Sequence, residues 1–132
     1  MDNITIIGSG LAGPLMAILF AENGYTVDLF EKRSDPRKKK LSAGRSINLA
    51  LSHRGIEALK SAKVFDQVKP LLIPMKGRMV HRQNGELNFQ SYSINSDENI
   101  NSISRRELNK ILMTTAENTG KVITYFDHEL VK

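Results

Sequence analysis

The sequence contains no cysteine and no tryptophan, and aromatic residues make up only 6% of its 132 residues. The absence of cysteine excludes a disulfide framework, a thiol nucleophile and a cysteine-ligated metal. A histidine metal site is disfavoured as well, because His53, His81 and His128 lie far apart without paired ligand spacing. The aromatics are not interleaved with basic residues as stacking platforms, so we expect no nucleic-acid partner.

Long apolar segments are also missing. The longest apolar run, from Leu11 to Ala21, is too short to cross a bilayer and contains Pro14, which favours a core helix. Asp2 beside the initial methionine removes the positive charge with which a secretory signal peptide begins. We therefore expect a soluble, cytoplasmic segment. Membrane attachment through a region outside this sequence stays open.

The positive charge of the chain is concentrated in one stretch. There are 19 lysine and arginine residues against 14 aspartate and glutamate residues, a net charge of +5. Six of the basic residues lie in KRSDPRKKK, from Lys32 to Lys40, where Asp35 and Pro36 are typical of a solvated loop. Such a basic loop is as compatible with a phosphate-bearing cofactor nearby as with a polyanion partner. A composition of 40% hydrophobic and 25% charged residues is that of one globular domain.

The first 30 residues predict a strand, a helix and a second strand. The segment from Asn3 to Ile7 is rich in β-branched residues and typical of a short strand buried on both faces. A helix is predicted from Leu11 to about Asn23, ending at Gly24, and Tyr25 to Phe30 forms the second strand. Two strands joined by a helix within so short a segment form a parallel βαβ unit.

The middle of the chain predicts shorter elements. An apolar stretch from Ile47 to Leu51 precedes a helix capped by Ser52, and Val64 to Val68 adds a helical turn. The strand-like runs MKGRMVHR and ELNFQSY flank Asn84 and Gly85, and an Asn-Gly pair in this position indicates a β-hairpin.

The last part of the chain predicts a helix and a strand. Ser104 and Glu107 have the spacing of a capping box, and Leu108 and Ile111 fall on one helical face. Gly120 is the expected helix end, and the run VITYF that follows is typical of a strand.

The hexapeptide GSGLAG, between the first strand and the first helix, indicates a phosphate-binding turn. Gly8 lets the chain turn out of the strand, Gly10 lets the backbone approach a pyrophosphate, and Gly13 lets the helix pack closely on the sheet. The helix N-terminus then offers free N–H groups and partial positive charge. Glu31 ends the second strand about 20 residues later, where a carboxylate accepts hydrogen bonds from an adenosine ribose. The sequence therefore predicts a dinucleotide site.

The identity of the dinucleotide is only partly determined by these residues. The carboxylate of Glu31 repels a 2′-phosphate, which disfavours tightly bound NADP and leaves FAD or NAD. An NAD-dependent dehydrogenase, another flavin hydroxylase and a non-catalytic basic binding module all stay open at this point. Salt-sensitive binding to a polyanion, lost on neutralising Lys38, Lys39 and Lys40, would favour the binding module.

A longer pattern carries a more specific resemblance. The stretch GRSINLALSHRGIEAL, followed by IPMKGRMVH, then Tyr92 and ISRRELN, resembles the kynurenine 3-monooxygenase family of FAD-dependent aromatic hydroxylases. The resemblance runs from the glycine turn to near the end of the chain. It implies an α/β fold with a Rossmann-like FAD-binding βαβ core and an added β-hairpin of the substrate-side sheet, like that of p-hydroxybenzoate hydroxylase.

The resemblance also implies that the fold is truncated here. Residues 1–132 are expected to be the N-terminal portion of a FAD-binding monooxygenase domain, with about residues 75–103 contributing the substrate-side hairpin. The family's later motifs, including an aspartate-bearing flavin-binding segment and a C-terminal region that closes the substrate pocket, are absent from the sequence. We therefore expect this segment alone to bind FAD poorly, to be inactive, and to self-associate through an exposed sheet edge.

The resemblance implies a role for eleven residues. Arg78 and Tyr92 match the pair that holds the carboxylate of kynurenine, since a guanidinium clasps a carboxylate bidentately and a phenol adds a directed hydrogen bond. Without the resemblance, the favoured interpretation is that Arg78 is a solvated strand residue and that Tyr92 only covers the sheet. Of Arg105 and Arg106, the family pattern selects Arg105. The cofactor-binding residues are Gly8, Gly10, Ala12, Gly13, Glu31, Arg33, Ala50, Arg105 and Leu130.

The activity implied is hydroxylation of L-kynurenine to 3-hydroxykynurenine with FAD, O2 and NADPH as a transient electron donor. Because FAD carries the oxidation, no residue of this chain is expected to act as a catalytic acid or base. The protein's part is to orient the substrate and exclude water.

Overall fold

Strands and helices form within residues 2–38, 47–95 and 99–132, which are the residues that the computed structural model describes. Lys39, Lys40 and the first three residues of the GRSINLALSHRG block lie outside them. The strands are β1 Asn3–Ile7, β2 Thr26–Phe30, β3 Asn48–Leu51, β4 Ile73–Met75, β5 Gly77–His81, β6 Leu87–Ser91, β7 Ile100–Ser104 and β8 Val122–Tyr125. The helices are α1 Ala12–Glu22, α2 His53–Ser61, α3 Phe65–Val68 and α4 Arg105–Asn118, with a 3-10 turn at Lys69–Leu71.

The βαβ unit is confirmed. β1, β2 and β8 form a parallel sheet in that order, with Asn3 opposite Thr26 and Val27 opposite Val122. α1 connects β1 to β2, and Pro14 is buried in its first turn, where the missing N–H costs no helical hydrogen bond. The carboxyl ends of the parallel strands therefore meet at one edge.

The expectation that β1 is buried on both faces is wrong. Its residues alternate, with Ile4 and Ile6 half-buried and Asn3, Thr5 and Ile7 exposed. The reason is that β1 lies at the edge of the three-stranded sheet and α1 covers only one of its faces. In a strand that is covered on one side, every second residue is buried, whereas a strand covered on both sides is apolar throughout.

The core lies between the parallel sheet and the helices. α4 presents Leu108, Leu112 and Ala116 on one face because residues four apart lie one above the other along a helix. α1 and α4 pack side by side on this face of the sheet. The buried core residues are Ala17, Ile18, Ala21, Val27, Leu29, Leu59, Ala62, Val64, Val68, Ile103, Leu108, Leu112, Ala116 and Val122.

A second, antiparallel sheet has the order β3-β7-β4. Ser52 caps α2 by accepting from the backbone N–H of Gly55, and Ser104 caps α4 by accepting from that of Glu107. The Glu107 carboxylate accepts from Lys110 Nζ at 3.2 Å, so only the serine half of the predicted capping box is confirmed.

The predicted hairpin is formed by β5 and β6. Gly85 has a φ of +85°, the left-handed conformation that the Asn-Gly pair anticipates. The register places Met79 opposite Phe89 and Arg78 opposite Gln90, so Met79 and Phe89 share the more apolar face of the hairpin, and Arg78, Val80 and Gln90 share the other. β4 and β7, which flank the hairpin in sequence, belong to the antiparallel sheet.

Candidate functional site

The glycine turn between β1 and α1 has the geometry that its sequence predicts. Gly8 has a φ of +101°, and its N–H donates to the carbonyl of Phe30 over 2.7 Å. A Cβ built on Gly13 would overlap the carbonyl oxygen of Gly8. Only glycine allows α1 to begin so close to the end of β1.

The N-terminus of α1 is suited to an anion. Within the described residues it has neither a capping side chain nor an acidic residue in its first turn, so its N–H groups are left for a ligand. A Cβ built on Gly10 meets no described atom within 4 Å. The Ser9 hydroxyl is buried without a hydrogen-bond partner in the described part of the chain, which is uncommon. These features fit the pyrophosphate of a dinucleotide.

Glu31 joins the end of β2 to the glycine turn. It is only 5% exposed, and its Oε2 accepts from the backbone N–H of Ser9 over 2.8 Å. Its Oε1 accepts from Nε of Arg33 over 2.7 Å and from the Arg33 backbone N–H over 2.9 Å. The Arg33 guanidinium holds the pKa of Glu31 down to about 2, so the carboxylate is an anion at neutral pH. Because Arg33 adds positive charge here, a 2′-phosphate is repelled less than the sequence alone implies.

A cleft of about 430 Å³ opens at this carboxyl edge of the parallel sheet. Its volume is in the range of small-molecule sites. It collects five of the predicted cofactor-binding residues: Gly8, Gly10, Glu31, Arg33 and Leu130. Ala12 and Gly13 lie beside it in the first turn of α1.

Five further residues of the cleft lining, namely Ile7, Phe30, Lys32, His128 and Glu129, were not predicted from the sequence. The backbone N–H of His128 donates to the carbonyl of Glu31 over 3.0 Å, and its ring Nδ1 lies 2.6 Å from the carbonyl of Phe126. A carbonyl can only accept, so this Nδ1 carries the proton. The signal that could have found His128 is its position after β8, since the ends of parallel strands share an edge.

Two other predicted cofactor residues lie elsewhere. Ala50 is exposed on β3, and Arg105 is the exposed first residue of α4. The N–H of Arg105 donates to the carbonyl of Ile47 over 3.0 Å, just before β3, so both residues belong to the region where β3 and β7 pair. Neither belongs to the described lining of the cleft.

The two predicted substrate residues lie on the hairpin. Arg78 Nε donates to Oε1 of Gln90 over 2.8 Å, and the N–H of Tyr92 donates to the carbonyl of Lys76 over 3.0 Å. If the register is continued one residue past β6, Tyr92 lies opposite Lys76 and on the same face as Arg78, at a diagonal position. Tyr92 is 45% exposed, and neither residue belongs to the described lining of the cleft.

A partly buried charge cluster that the sequence did not reveal anchors the 31–38 loop. Arg37 bridges two carboxylates: its Nε and Nη2 each lie 2.9 Å from Asp35 oxygens, and its Nη1 lies 2.6 Å from Glu117 Oε2. We refer to Asp35, Arg37 and Glu117 as the Arg37 cluster. Arg106 also reaches this loop, donating to the carbonyl of Pro36 over 3.5 Å. The loop that carries Glu31 and Arg33 is thereby tied to α4.

Two features are absent from the described part of the chain. No group of three histidine, aspartate or glutamate side chains there is arranged to hold a metal ion. No helix there is long and apolar enough to cross a membrane.

A parallel βαβ sheet with a glycine turn, an uncapped helix N-terminus and a buried carboxylate at one edge defines a dinucleotide-binding protein of the Rossmann type. The chain belongs to the FAD-binding-domain family, whose model, described as "FAD binding domain", matches residues 2–132. This match decides in favour of FAD between the two dinucleotides that the residues left open.

Two curated relatives share one name. The chain is 50% identical over 129 residues to kynurenine 3-monooxygenase of Cytophaga hutchinsonii. The aligned segment covers 96% of this chain and 28% of that protein. It is 45% identical over 130 residues to the enzyme of Legionella pneumophila strain Corby, covering 98% of this chain and 29% of the relative. The resemblance predicted from the sequence is confirmed. The chain spans about 28% of the length of the curated relatives it matches.

Solved structures confirm the predicted fold. The chain superposes on 2-methyl-3-hydroxypyridine-5-carboxylic acid oxygenase with a TM-score of 0.75 at 22% identity, covering 96% of this chain and 32% of that one. p-Nitrophenol 4-monooxygenase of Pseudomonas putida gives a TM-score of 0.71 at 15% identity, with 96% and 33% covered. At these identities the likeness concerns the fold alone.

Proposed function

We propose that the complete protein is a flavin monooxygenase that hydroxylates L-kynurenine to 3-hydroxykynurenine with FAD, NADPH and O2. The observation that carries the proposal is the identity of up to 50% with kynurenine 3-monooxygenases across nearly all of this chain. The cleft at the glycine turn supports its cofactor half. We also propose that this segment is located in the cytoplasm and that the chain self-associates when it is alone.

The residues that would hold FAD fall into three groups. The glycine turn and the N-terminus of α1 would take the pyrophosphate, and Glu31, Arg33 and Leu130 the adenosine. Ala50 and Arg105, near the pairing of β3 and β7, would take the flavin end. Bound FAD supplies the oxidising chemistry, which no side chain provides.

Arg78 and Tyr92 would bind the carboxylate of the substrate. Among the described residues, the hydrogen bond that Arg78 makes uses only Nε, so its two terminal nitrogens are available to a carboxylate. The bond to Gln90 fixes the plane of the guanidinium before the substrate arrives, which lowers the entropy lost on binding. Tyr92, on the same face, would add a second contact.

The test uses the complete protein supplied with FAD. NADPH oxidation is followed with and without L-kynurenine, and mass spectrometry looks for a product heavier by one oxygen. We expect kynurenine to accelerate the oxidation and the product to appear. Arg78→Ala should raise the KM for kynurenine by roughly tenfold or more, because a charge-assisted contact is lost, while the flavin stays bound.

The matched control is Arg82→Ala, which removes an exposed arginine from the turn of the same hairpin. It should leave the KM unchanged. If flavin binds but kynurenine alters neither the rate nor the product, the substrate assignment is wrong and the cofactor assignment stands.

A further inference from the structure

Asn109, in the second turn of α4, contacts the glycine turn directly. Its side-chain Nδ2 donates to the carbonyl of Gly10 over 2.8 Å and to that of Ser9 over 3.1 Å. The contact joins residues about 100 positions apart in the chain. Neither the glycine motif nor the capping pattern of α4 singles out this asparagine.

These two hydrogen bonds determine where the N–H groups of the turn point. Peptide units are planar and trans, so the C=O of one residue is antiparallel to the N–H of the next. Holding the carbonyls of Ser9 and Gly10 towards α4 therefore turns the N–H groups of Gly10 and Leu11 to the opposite side of the turn. A helix N-terminus binds a phosphate through N–H groups of this kind.

The turn is also held by residues at the end of β2. Glu31 accepts from the backbone N–H of Ser9, and the carbonyl of Phe30 accepts from that of Gly8. Phe30 and Glu31, at the end of β2, and Asn109 of α4 thus fix successive peptide units of the same turn. A loop that is already ordered loses less entropy when a ligand binds, and so it binds more tightly.

We propose that Asn109 is a positioning residue that preorganises the glycine turn for the diphosphate of the dinucleotide. It acts through the backbone of Ser9 and Gly10 and does not itself touch the cofactor. The inference rests on the proposed binding of FAD at this turn.

The experiment measures ligand binding to the complete apoprotein and its Asn109→Ala variant. Alanine keeps the helix propensity and removes both donors. FAD affinity is measured by fluorescence titration, and ADP and adenosine affinities by calorimetry. We expect the Kd values for FAD and ADP to rise about tenfold or more, as for other lost hydrogen-bond partners. The Kd for adenosine, which has no phosphate, should stay within about twofold of wild type, because the residues proposed for the adenosine are not altered.

The matched control is Asn118→Ala, the same change at an exposed position of α4. It should alter none of the three affinities. A second variant, Asn109→Leu, fills the volume of the asparagine without donors and should reproduce the loss.

Several outcomes would overturn the inference. One is an Asn109→Ala protein that keeps its FAD and ADP affinities, and another is an equal loss for ADP and adenosine, which would indicate a general structural defect. Failure of both Asn109 variants to fold would also overturn it, because Asn109 would then support the fold rather than the turn. If wild-type protein does not bind FAD, the proposed function itself fails.

Discussion

Gly10 and Gly13 belong to the same turn, yet a methyl group added to each would meet different surroundings. On Gly13 it would overlap the carbonyl of Gly8, whereas on Gly10 it enters space that holds no described atom within 4 Å. We expect Gly13→Ala to lower the free energy of unfolding by ~2 kcal/mol, since α1 must move away from β1. Gly10→Ala should change it by less than ~0.5 kcal/mol.

FAD affinity should be sensitive to Gly10→Ala, the variant that leaves the stability nearly unchanged. Gly10→Ala fills the space through which a diphosphate would approach the backbone, so FAD affinity should fall although the fold is intact. Urea denaturation of the apoprotein gives the stabilities and flavin fluorescence gives the affinities. A Gly10→Ala protein with unchanged FAD affinity would show that the diphosphate does not pass this residue.

Glu31 should make stability depend on pH in the acid range. Its pKa is about 2 in the folded protein against an ordinary value of 4.5, chiefly because of the hydrogen bond from Arg33. A lowered pKa adds stability that is complete above about pH 4.5 and is lost as the pH falls towards 2. The shift corresponds to at most ~3 kcal/mol, and the exposure of Arg33 to solvent reduces this figure.

The measurement is the free energy of unfolding between pH 2 and pH 6 for wild type and Glu31→Gln. The difference between the two should shrink as the pH is lowered. Glu86→Gln, at the exposed turn of the hairpin, is the control and should follow the wild-type curve. A constant difference across this range would contradict the coupling between Glu31 and Arg33.

At the scale of elements, the Arg37 cluster joins the 31–38 loop to α4. The side chain of Asp35 is only 8% exposed, so replacing Arg37 leaves a largely buried carboxylate without its charged partner, although the backbone N–H of residue 37 still donates to it. Arg37→Ala should lower the free energy of unfolding by about 2 kcal/mol or more. It should also weaken FAD binding, because the same loop carries Glu31 and Arg33.

The control for Arg37→Ala is Lys60→Ala, which breaks the exposed ion pair with Glu57 on α2. Exposed pairs contribute little, so urea denaturation should register a change below about 0.5 kcal/mol. Equal effects of the two substitutions would indicate that the Arg37 cluster contributes no more than a surface ion pair.

Elements whose signals are local could be predicted from the sequence. Gly85 and Asn84 anticipate the hairpin, and Ser52 and Ser104 anticipate two helix starts, because turns and caps depend on neighbouring residues. β7 was missed, since Ile103 is its only fully buried residue and the strand carries no clear apolar alternation. β4 was missed because Pro74 interrupts it, although the strand lies at the edge of its sheet, where proline is tolerated.

The candidate site likewise contains residues that local sequence patterns predict and contacts that they do not. The glycine turn and Glu31 are found within one βαβ unit, where spacing along the chain fixes spacing in the fold. The bond between Arg37 and Glu117 spans 80 residues, and that between Asn109 and Gly10 spans 99. Such contacts depend on how α4 packs beside α1, which no local pattern encodes.

At the scale of the whole molecule, large apolar side chains are exposed on the hairpin and on the parallel sheet. On the hairpin, Met79, Leu87 and Phe89 are each at least half exposed, and Ile7 and Ile123 are similarly exposed on β1 and β8. β1 and β8 are also the two edges of the described parallel sheet. Exposed apolar faces and free strand edges promote association between chains.

We therefore expect the 132-residue chain alone to self-associate and to bind FAD more weakly than the complete protein. Sedimentation velocity at two concentrations should detect the association, and fluorescence titration the weaker binding. Phe89→Lys places a charge on the apolar face of the hairpin and should reduce association, whereas Asn88→Lys, on the opposite face, should not. A chain that is monomeric at both concentrations would show that the exposed apolar side chains and strand edges do not cause association. FAD binding as tight as that of the complete protein would show that the described residues already form the whole cofactor site.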